Sequence, residues 1–322
     1  MIPNVVPAQA SGRWQALDVA RGVAVAAMIL YHLVWDLSAT RLLPPELALS
    51  PGWRAFAWCI AASFLALSGI SLVLAHGAGI RWPAFLRRLA LVAAAAAAVT
   101  VATWFAFPDS YIFFGILHAI ALFSVLALPG LAMPWWALGA AAALVFAVAA
   151  LWTGDLFDAP PLAFLGLRTR PPVTNDYVPI FPWFGFVLVG LMLARLASPA
   201  LAARIGGWRS RSAAARGLAF GGRHSLAIYL LHQPLLFGGA QLLAWTIAPD
   251  ARQLEAAFVQ DYVAQCRQAA GEQEACAASA ACTRAEAERA GLWRLHLESR
   301  VGPAEQARLL EISRACYAKA RP

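Results

Sequence analysis

Apolar segments of about twenty residues recur along the first three-quarters of this 322-residue chain, each nearly free of charge. About 20 helical residues cross a hydrocarbon layer of ~30 Å. A buried helix of a soluble protein seldom runs that long without a charge, and here the pattern repeats about seven times. Composition agrees: 61% of residues are hydrophobic and 13% charged, against about 25% charged in a soluble domain. The fold class expected is all-α, a polytopic membrane helix bundle whose partner is the lipid bilayer. Spans are placed near residues 19–38, 55–75, 86–107, 111–129, 134–152, 180–197 and 224–248. Residues 1–248 form the bundle, and residues 249–322 a separate C-terminal domain.

The net charge of +8 raises the question of a nucleic-acid partner, and its location answers it. Residues 249–322 hold ten basic and ten acidic residues, so the whole excess lies beside the spans. Arg13, Arg81, Arg195, Arg204, Arg209, Arg211, Arg216 and Arg223 fall on one side of the expected topology, with Arg87 and Arg88 opening the third span from there. The opposite loops, 39–54, 108–110 and 153–179, hold only Arg41, Arg54, Arg168 and Arg170. Positive residues concentrate on the cytoplasmic side, which places the N-terminus inside and no nucleic acid among the partners. Residues 1–16 lack an apolar core, and the first apolar stretch is long and carries Asp18, Arg21, His32 and Asp36, so no cleavable signal is expected. The localisation expected is the bacterial cytoplasmic (inner) membrane.

An odd number of spans leaves residues 249–322 outside the cytoplasm. Four of the five cysteines, Cys266, Cys276, Cys282 and Cys316, lie there, where thiols are oxidised. Two disulfides are expected, and four cysteines allow three pairings. No C-x-x-C pair exists and only His296 is nearby, so no metal site is expected. Ala, Glu, Arg and Leu make this tail helical. Cys59, in an apolar span, reads as packing.

A charge at bilayer depth costs about 2.5–3.5 kcal/mol, so the polar residues inside spans are the candidates for function. In ALDVARGVAVAAMILYHLVWDL, residues 16–37, His32 and Asp36 stand four apart on one helical face. A carboxylate there can fix an imidazole's tautomer and raise its basicity, as a general base needs. Asp18 and Arg21 lie three apart at the cytoplasmic mouth. His118, in FFGILHAIAL, falls at a depth matching His32, about 20 Å from the cytoplasm. In GGRHSLAIYLLHQPLL, Arg223 and His224 sit at the mouth, while His232 and Gln233 lie about 12–14 Å in, before Pro234, which bends the helix. Each of these also has a plain packing explanation. The loop with Asp155, Asp158, Arg168, Arg170, Asn175 and Asp176 is charged as any solvated loop is, and its signal is weak.

Several of these segments resemble one family. D-x-x-R-G at 18–22, Y-H-L-x-W-D-L at 31–37, F-G-I-L-H at 114–118, P-W-F-G-F-V-L-V-G at 182–190 and G-R-H-S-L-A-I-Y-L-L-H-Q-P at 222–234 are similar, in order, to the bacterial DUF1624 proteins. Those are related to the catalytic domain of heparan-alpha-glucosaminide N-acetyltransferase and, more distantly, to membrane acyltransferase family 3. The resemblance covers about residues 13–248. It implies an acyltransferase that moves an acyl group, typically acetyl, from cytoplasmic acyl-CoA to an amine or hydroxyl of an extracytoplasmic sugar or glycan. The animal enzymes are thought to use a histidine in the loop after the first span. This chain has none between residues 33 and 75, and His32 inside the span is the nearest counterpart, where family 3 also has one.

On that reading His32, Asp36 and His118 are catalytic, His232 and Gln233 bind substrate, and Arg21, Arg87, Arg88 and Arg223 hold the phosphates of acetyl-CoA, a co-substrate rather than a tightly bound cofactor. A covalent acyl-histidine and direct attack in a ternary complex both fit. Intramembrane His and Asp also suit a transporter or flippase, and a scaffold with an external disulfide domain is a third possibility; homo-oligomerisation stays open.

Overall fold

In the computed structural model, residues 13–247, 251–268, 272–297 and 301–320 are described. The N-terminal segment 1–12 and the expected domain boundary at 248/249 lie outside the described residues. The chain divides into two units, Met1–Gln241 and Leu242–Pro322.

The first unit begins with α1 (Gln15–Ala39), a short α2 (Pro45–Leu49), α3 (Pro51–His76) and α4 (Trp82–Ala106). It continues with α5 (Ile116–Leu126), α6 (Trp135–Leu151), α7 (Ile180–Leu196), α8 (Pro199–Gly207), α9 (Ala213–Arg223) and α10 (Ser225–Thr246), whose last five residues belong to the second unit. The all-α membrane expectation holds: α1, α3, α4 and α10 are each long and apolar enough to cross a bilayer. The other three expected spans differ in form. α7 joins α8 through a 103° bend, and α5 and α6 are apolar helices of only 11 and 17 residues.

The shortening of the span expected at 111–129 has a local cause. Residues 107–115 leave the helix and pair with the end of the loop before α7. Asn175 N–H donates to the Ser110 carbonyl at 2.9 Å and Val178 N–H to the Phe114 carbonyl at 3.0 Å. Thr174 Oγ1 adds a bond to the Tyr111 carbonyl at 2.8 Å. Backbone groups removed from water need such partners, and here two non-helical segments supply them to each other.

Helices cross where a side chain is missing. A methyl group added at Gly69 would overlap the Val187 carbonyl, and one at Gly190 the Ala66 carbonyl, so α3 and α7 touch backbone to backbone at two points. The same device joins α1 to α9: Gly22 lies on the Leu218 carbonyl and Gly222 on that of Asp18. Segment 198–223, expected as an internal loop, therefore contains a helix docked tightly on α1. Close approach through small residues is how helices pack without a hydrophobic driving force between them. Leu65, Phe123, Leu138, Val187 and Leu191 are buried between α3, α5, α6 and α7 as the main core.

The second unit contains α11 (Ala251–Gln268), α12 (Gln273–Arg289), α13 (Leu292–Leu297) and α14 (Pro303–Ala320). Both expected disulfides form, and of the three possible pairings the fold uses Cys266–Cys276 and Cys282–Cys316. Between the helices, the Tyr262 hydroxyl bonds the hydroxyls of Ser279 at 2.7 Å and Ser313 at 2.9 Å. Phe258 packs its ring on Trp293 and His296.

Candidate active site

The site is built where α10 faces α1. Tyr229, His232 and Gln233 stand at i, i+3 and i+4, on one face of α10. His232 and Ala240 are the buried residues of that helix among those described. The His232 ring meets His32 edge to face, with ring centroids 5.0 Å apart. One turn beyond His32, the Asp36 carboxylate is 1% exposed and accepts a hydrogen bond from Gln233 Nε2 at 2.8 Å. Asp36 thus holds the amide of Gln233 rather than the imidazole of His32, and the expected His32–Asp36 dyad is replaced by a cross-helix Asp36–Gln233 tie beside a His32–His232 pair.

Four buried polar atoms in this small region have no protein partner: His32 Nδ1, Asp36 Oδ2, His232 Nε2 and Gln233 Oε1. An unmet buried polar group costs about 1–3 kcal/mol, so their convergence needs a partner that the chain does not supply. Hydrogen-bond logic assigns most of them. His232 Nδ1 lies 2.7 Å from the Tyr229 carbonyl, which can only accept, so Nδ1 carries the proton and neutral Nε2 presents a lone pair. Gln233 uses its amino group on Asp36, which leaves Oε1 as an acceptor. Asp36 Oδ2 is an acceptor when ionised. Three of the four positions therefore call for donors.

His118 is placed differently. Its Nδ1 accepts from the Gly115 N–H at 3.3 Å, and its Nε2 lies 3.1 Å from Thr100 Oγ1. The Thr100 hydroxyl donates in turn to the Ile112 carbonyl at 2.7 Å. Both ring nitrogens are occupied, and the residue straps α4 to the start of α5.

Asp176 is a site residue whose signal in the sequence was lost among loop charges. Its Oδ2 accepts from the Ile116 N–H at 2.8 Å, capping α5. Tyr229 of α10 and Tyr31 of α1 are both near enough to feel its charge. A methyl at Gly115 would strike this carboxylate, so the glycine is what lets it in. Removal from water pushes the Asp176 carboxyl up to about 6, against the opposite pull of the Ile116 N–H. The other charges of that loop fold on themselves, Asp158 accepting from the Thr169 N–H at 3.0 Å and lying 3.8 Å from Arg168.

Toward the N-terminal end of α1, Asp18 is buried and pairs with Arg13 at 2.9 Å and Arg21 at 3.5 Å. Arg21 also donates to the Ser71 hydroxyl. Arg88, from α4, sits close enough to Arg21 for the two cations to repel and lines a small cavity with Phe85, Leu89 and Ser124. Arg87, Arg88 and Arg223 are all exposed. Arg21 and Arg88 thus lie within electrostatic reach of one another.

A helical bundle of membrane-crossing helices, with unpaired imidazole, carboxylate and amide groups inside it, defines a multi-pass membrane protein with an internal polar site. Residues 13–234 match the model of the heparan-alpha-glucosaminide N-acetyltransferase catalytic family. That is more than two-thirds of the chain, which belongs to this family, and a membrane acyltransferase activity goes with it. The match holds every residue of the site and stops short of the disulfide-bonded unit. Comparison with curated proteins returns no match. Comparison with solved structures returns none.

Proposed function

We propose that the protein transfers an acyl group, typically acetyl, from cytoplasmic acyl-CoA to an amine or hydroxyl of an extracytoplasmic sugar or glycan. The observation that carries this reading is the convergence of His32 Nδ1, Asp36 Oδ2, His232 Nε2 and Gln233 Oε1 without protein partners. A nucleophile with N–H or O–H groups is a donor, and acceptors dominate that set.

In the proposed step His232 Nε2 takes the proton from the acceptor as its nitrogen or oxygen attacks the thioester carbonyl. A new C–N or C–O bond forms, the C–S bond breaks, and the proton passes from the imidazolium to the departing CoA thiolate. Neutral His32 always carries one N–H, which can support the developing oxyanion. Asp36 Oδ2 and Gln233 Oε1 orient the acceptor. Arg21 and Arg88, two cations held near one another, suit the phosphates of CoA. Their place on α1 and α4 among the arginine-rich segments fits a donor from the cytoplasm, and the positive-inside pattern of the sequence supports a bacterial inner membrane with residues 249–322 in the periplasm.

The test is acyl transfer by the full chain in nanodiscs, with acetyl-CoA and a panel of amino sugars. His32→Ala and His232→Ala should each lower kcat about 100-fold, within the usual range for a proton-transfer group. Normal turnover in both variants would remove the imidazole pair from the chemistry. Solute movement across the membrane without CoA would replace the reading with transport.

A further inference from the structure

We infer that α8 lies in the membrane surface and binds acidic phospholipid: Leu201, Ile205 and Trp208 enter the acyl chains, while Arg204 and Arg211 meet the headgroup phosphates. Whether the chain transfers an acyl group has no bearing on this.

The bend after α7 sets the direction of α8. α7 is buried among the apolar helices of the bundle, and α8 leaves it at 103°. A helix nearly perpendicular to a membrane-crossing one runs along the membrane surface. The far end of α8 is pinned at the start of α1. Arg209 donates to the Arg13 carbonyl at 3.3 Å, and the Ser210 N–H to Gln15 Oε1 at 2.8 Å. A methyl at Gly206 would strike the Trp14 ring. Trp14 caps α1 and Gln15 opens it, so α8 sits at the level where that helix enters the lipid, not at mid-depth.

The sides of α8 match that placement. With 3.6 residues per turn, Ala202 and Gly206 share the side that faces the protein, and Ala202 is buried. Leu201 and Ile205 share the next side and are 48% and 38% exposed; Trp208, at the C-terminal cap, is 42% exposed. Ala203 and Gly207 are exposed on the side opposite these apolar residues. Arg204 stands between the apolar and the opposite side, at the height of the headgroups. A long basic side chain reaches that level with its stem along apolar surface. A helix divided in this way lies in the interface plane.

Charge decides which lipid. Residues 195–223 hold six arginines and no aspartate or glutamate. Arg195, Arg209 and Arg216 place donors on backbone carbonyls of Leu131, Gly206 and Arg211. The side chains of Arg204 and Arg211 are exposed and have no partner among the described residues. Two free guanidinium groups beside an apolar stripe fit the phosphate of a lipid whose tails cover that stripe. A lipid of net negative charge is favoured over a zwitterionic one, whose own ammonium already neutralises its phosphate.

Two measurements on the full chain test this. The first uses nanodiscs of mixed phosphatidylglycerol and phosphatidylcholine and a Cys59→Ser background, the cysteines of the second unit being disulfide-bonded. Spin labels are attached in Leu201→Cys, Ala203→Cys, Ile205→Cys and Gly207→Cys, one at a time. Labels at 201 and 205 should be the more accessible to oxygen, which concentrates in lipid, and those at 203 and 207 to a water-soluble nickel chelate. The second leaves the apolar side of α8 intact. Native mass spectrometry of the purified chain, offered equal amounts of the two lipids, should show phosphatidylglycerol retained in preference. Arg204→Gln with Arg211→Gln should weaken that retention about fivefold for each cation removed, whereas Arg54→Gln, an exposed arginine of another segment, should keep it. Equal oxygen access at all four positions, or retention of phosphatidylglycerol unchanged in the double variant, overturns the inference.

Discussion

Gln233 Nε2 and Asp36 Oδ1 are joined at 2.8 Å across 197 residues of sequence, and the bond ties the last long apolar helix to the first. Each partner keeps one buried oxygen with nothing to bond. The pair is thus half structure and half binding site. Asp36→Ala leaves the Gln233 amide without its acceptor, at a cost of about 1–3 kcal/mol. The expected outcome is a lowered Tm together with a raised KM for the acceptor sugar. Thermal unfolding in detergent and acceptor titration check it; a Tm equal to wild type would mean that the bond does not hold the helices.

The histidines separate by the state of their nitrogens. His118 has both engaged, so His118→Ala should cost about 1–3 kcal/mol of stability and leave the turnover of the folded fraction near wild type. His232→Ala should do the reverse. Melting curves and kcat for the two variants, measured side by side, decide the assignment. A His118→Ala protein of normal Tm and no activity would return that residue to the chemistry.

Much of the bundle is legible from composition and period. The four longest helices follow directly from twenty-residue apolar runs, and His32, Asp36, His232 and Gln233 stand out because lipid penalises them. Pairing is what the residues do not show. The i, i+4 spacing of His32 and Asp36 suggested one face of one helix, whereas the carboxylate found its partner on α10. Counting residues puts His118 and His32 at similar depth, yet depth along an axis says nothing of rotation about it. Asp176 was hidden for another reason. A loop aspartate looks solvated, and only the pairing of 110–114 with 174–178 carries it inward, past a glycine whose purpose is invisible until the carboxylate is there. The glycines of D-x-x-R-G and G-R-H belong to the same class: in the sequence they border charged candidates, and in the fold they let α1 and α9 touch.

That contact makes a sharp stability prediction. A methyl at Gly22 or Gly222 would fall on backbone atoms of the opposite helix, which cannot move aside as a side chain can, whereas one at Gly52 meets nothing within 4 Å. Gly222→Ala should abolish folding, since overpacking alone typically costs about 1–3 kcal/mol and here the obstacle is rigid. Gly52→Ala should behave as wild type. Fluorescence-detected gel filtration of both variants checks this, and a monodisperse, heat-stable Gly222→Ala protein would show that α9 does not lie on α1.

The disulfides should differ in worth. Cys282 and Cys316 close 34 residues and Cys266 and Cys276 close 10, for which loop entropy gives about 4 and 3 kcal/mol. Replacing the first pair by serines should therefore destabilise the second unit more than replacing the second pair. Limited proteolysis of the full chain, with peptide mapping of the wild-type pairs, measures both points. Any other connectivity in the map would discard the helical packing described for α11–α14.

Asp176 supplies the pH dependence. Its folded-state carboxyl is raised to about 6 from an ordinary 3.8, so the folded chain binds more protons than the unfolded chain between those values. Stability from this group is then present at low pH and is lost as pH rises from about 4 to about 6. Asp176→Asn removes the titration and keeps a capping oxygen for Ile116. Its Tm relative to wild type should therefore increase across that window, by about 2–4 °C for each kcal/mol recovered. Because every other titrating group is common to both proteins, the difference between their two Tm curves isolates this carboxyl. A difference that stays flat from pH 4 to pH 7 would mean that Asp176 ionises as freely as a carboxylate in water, and that the loop does not carry it between α5 and α10.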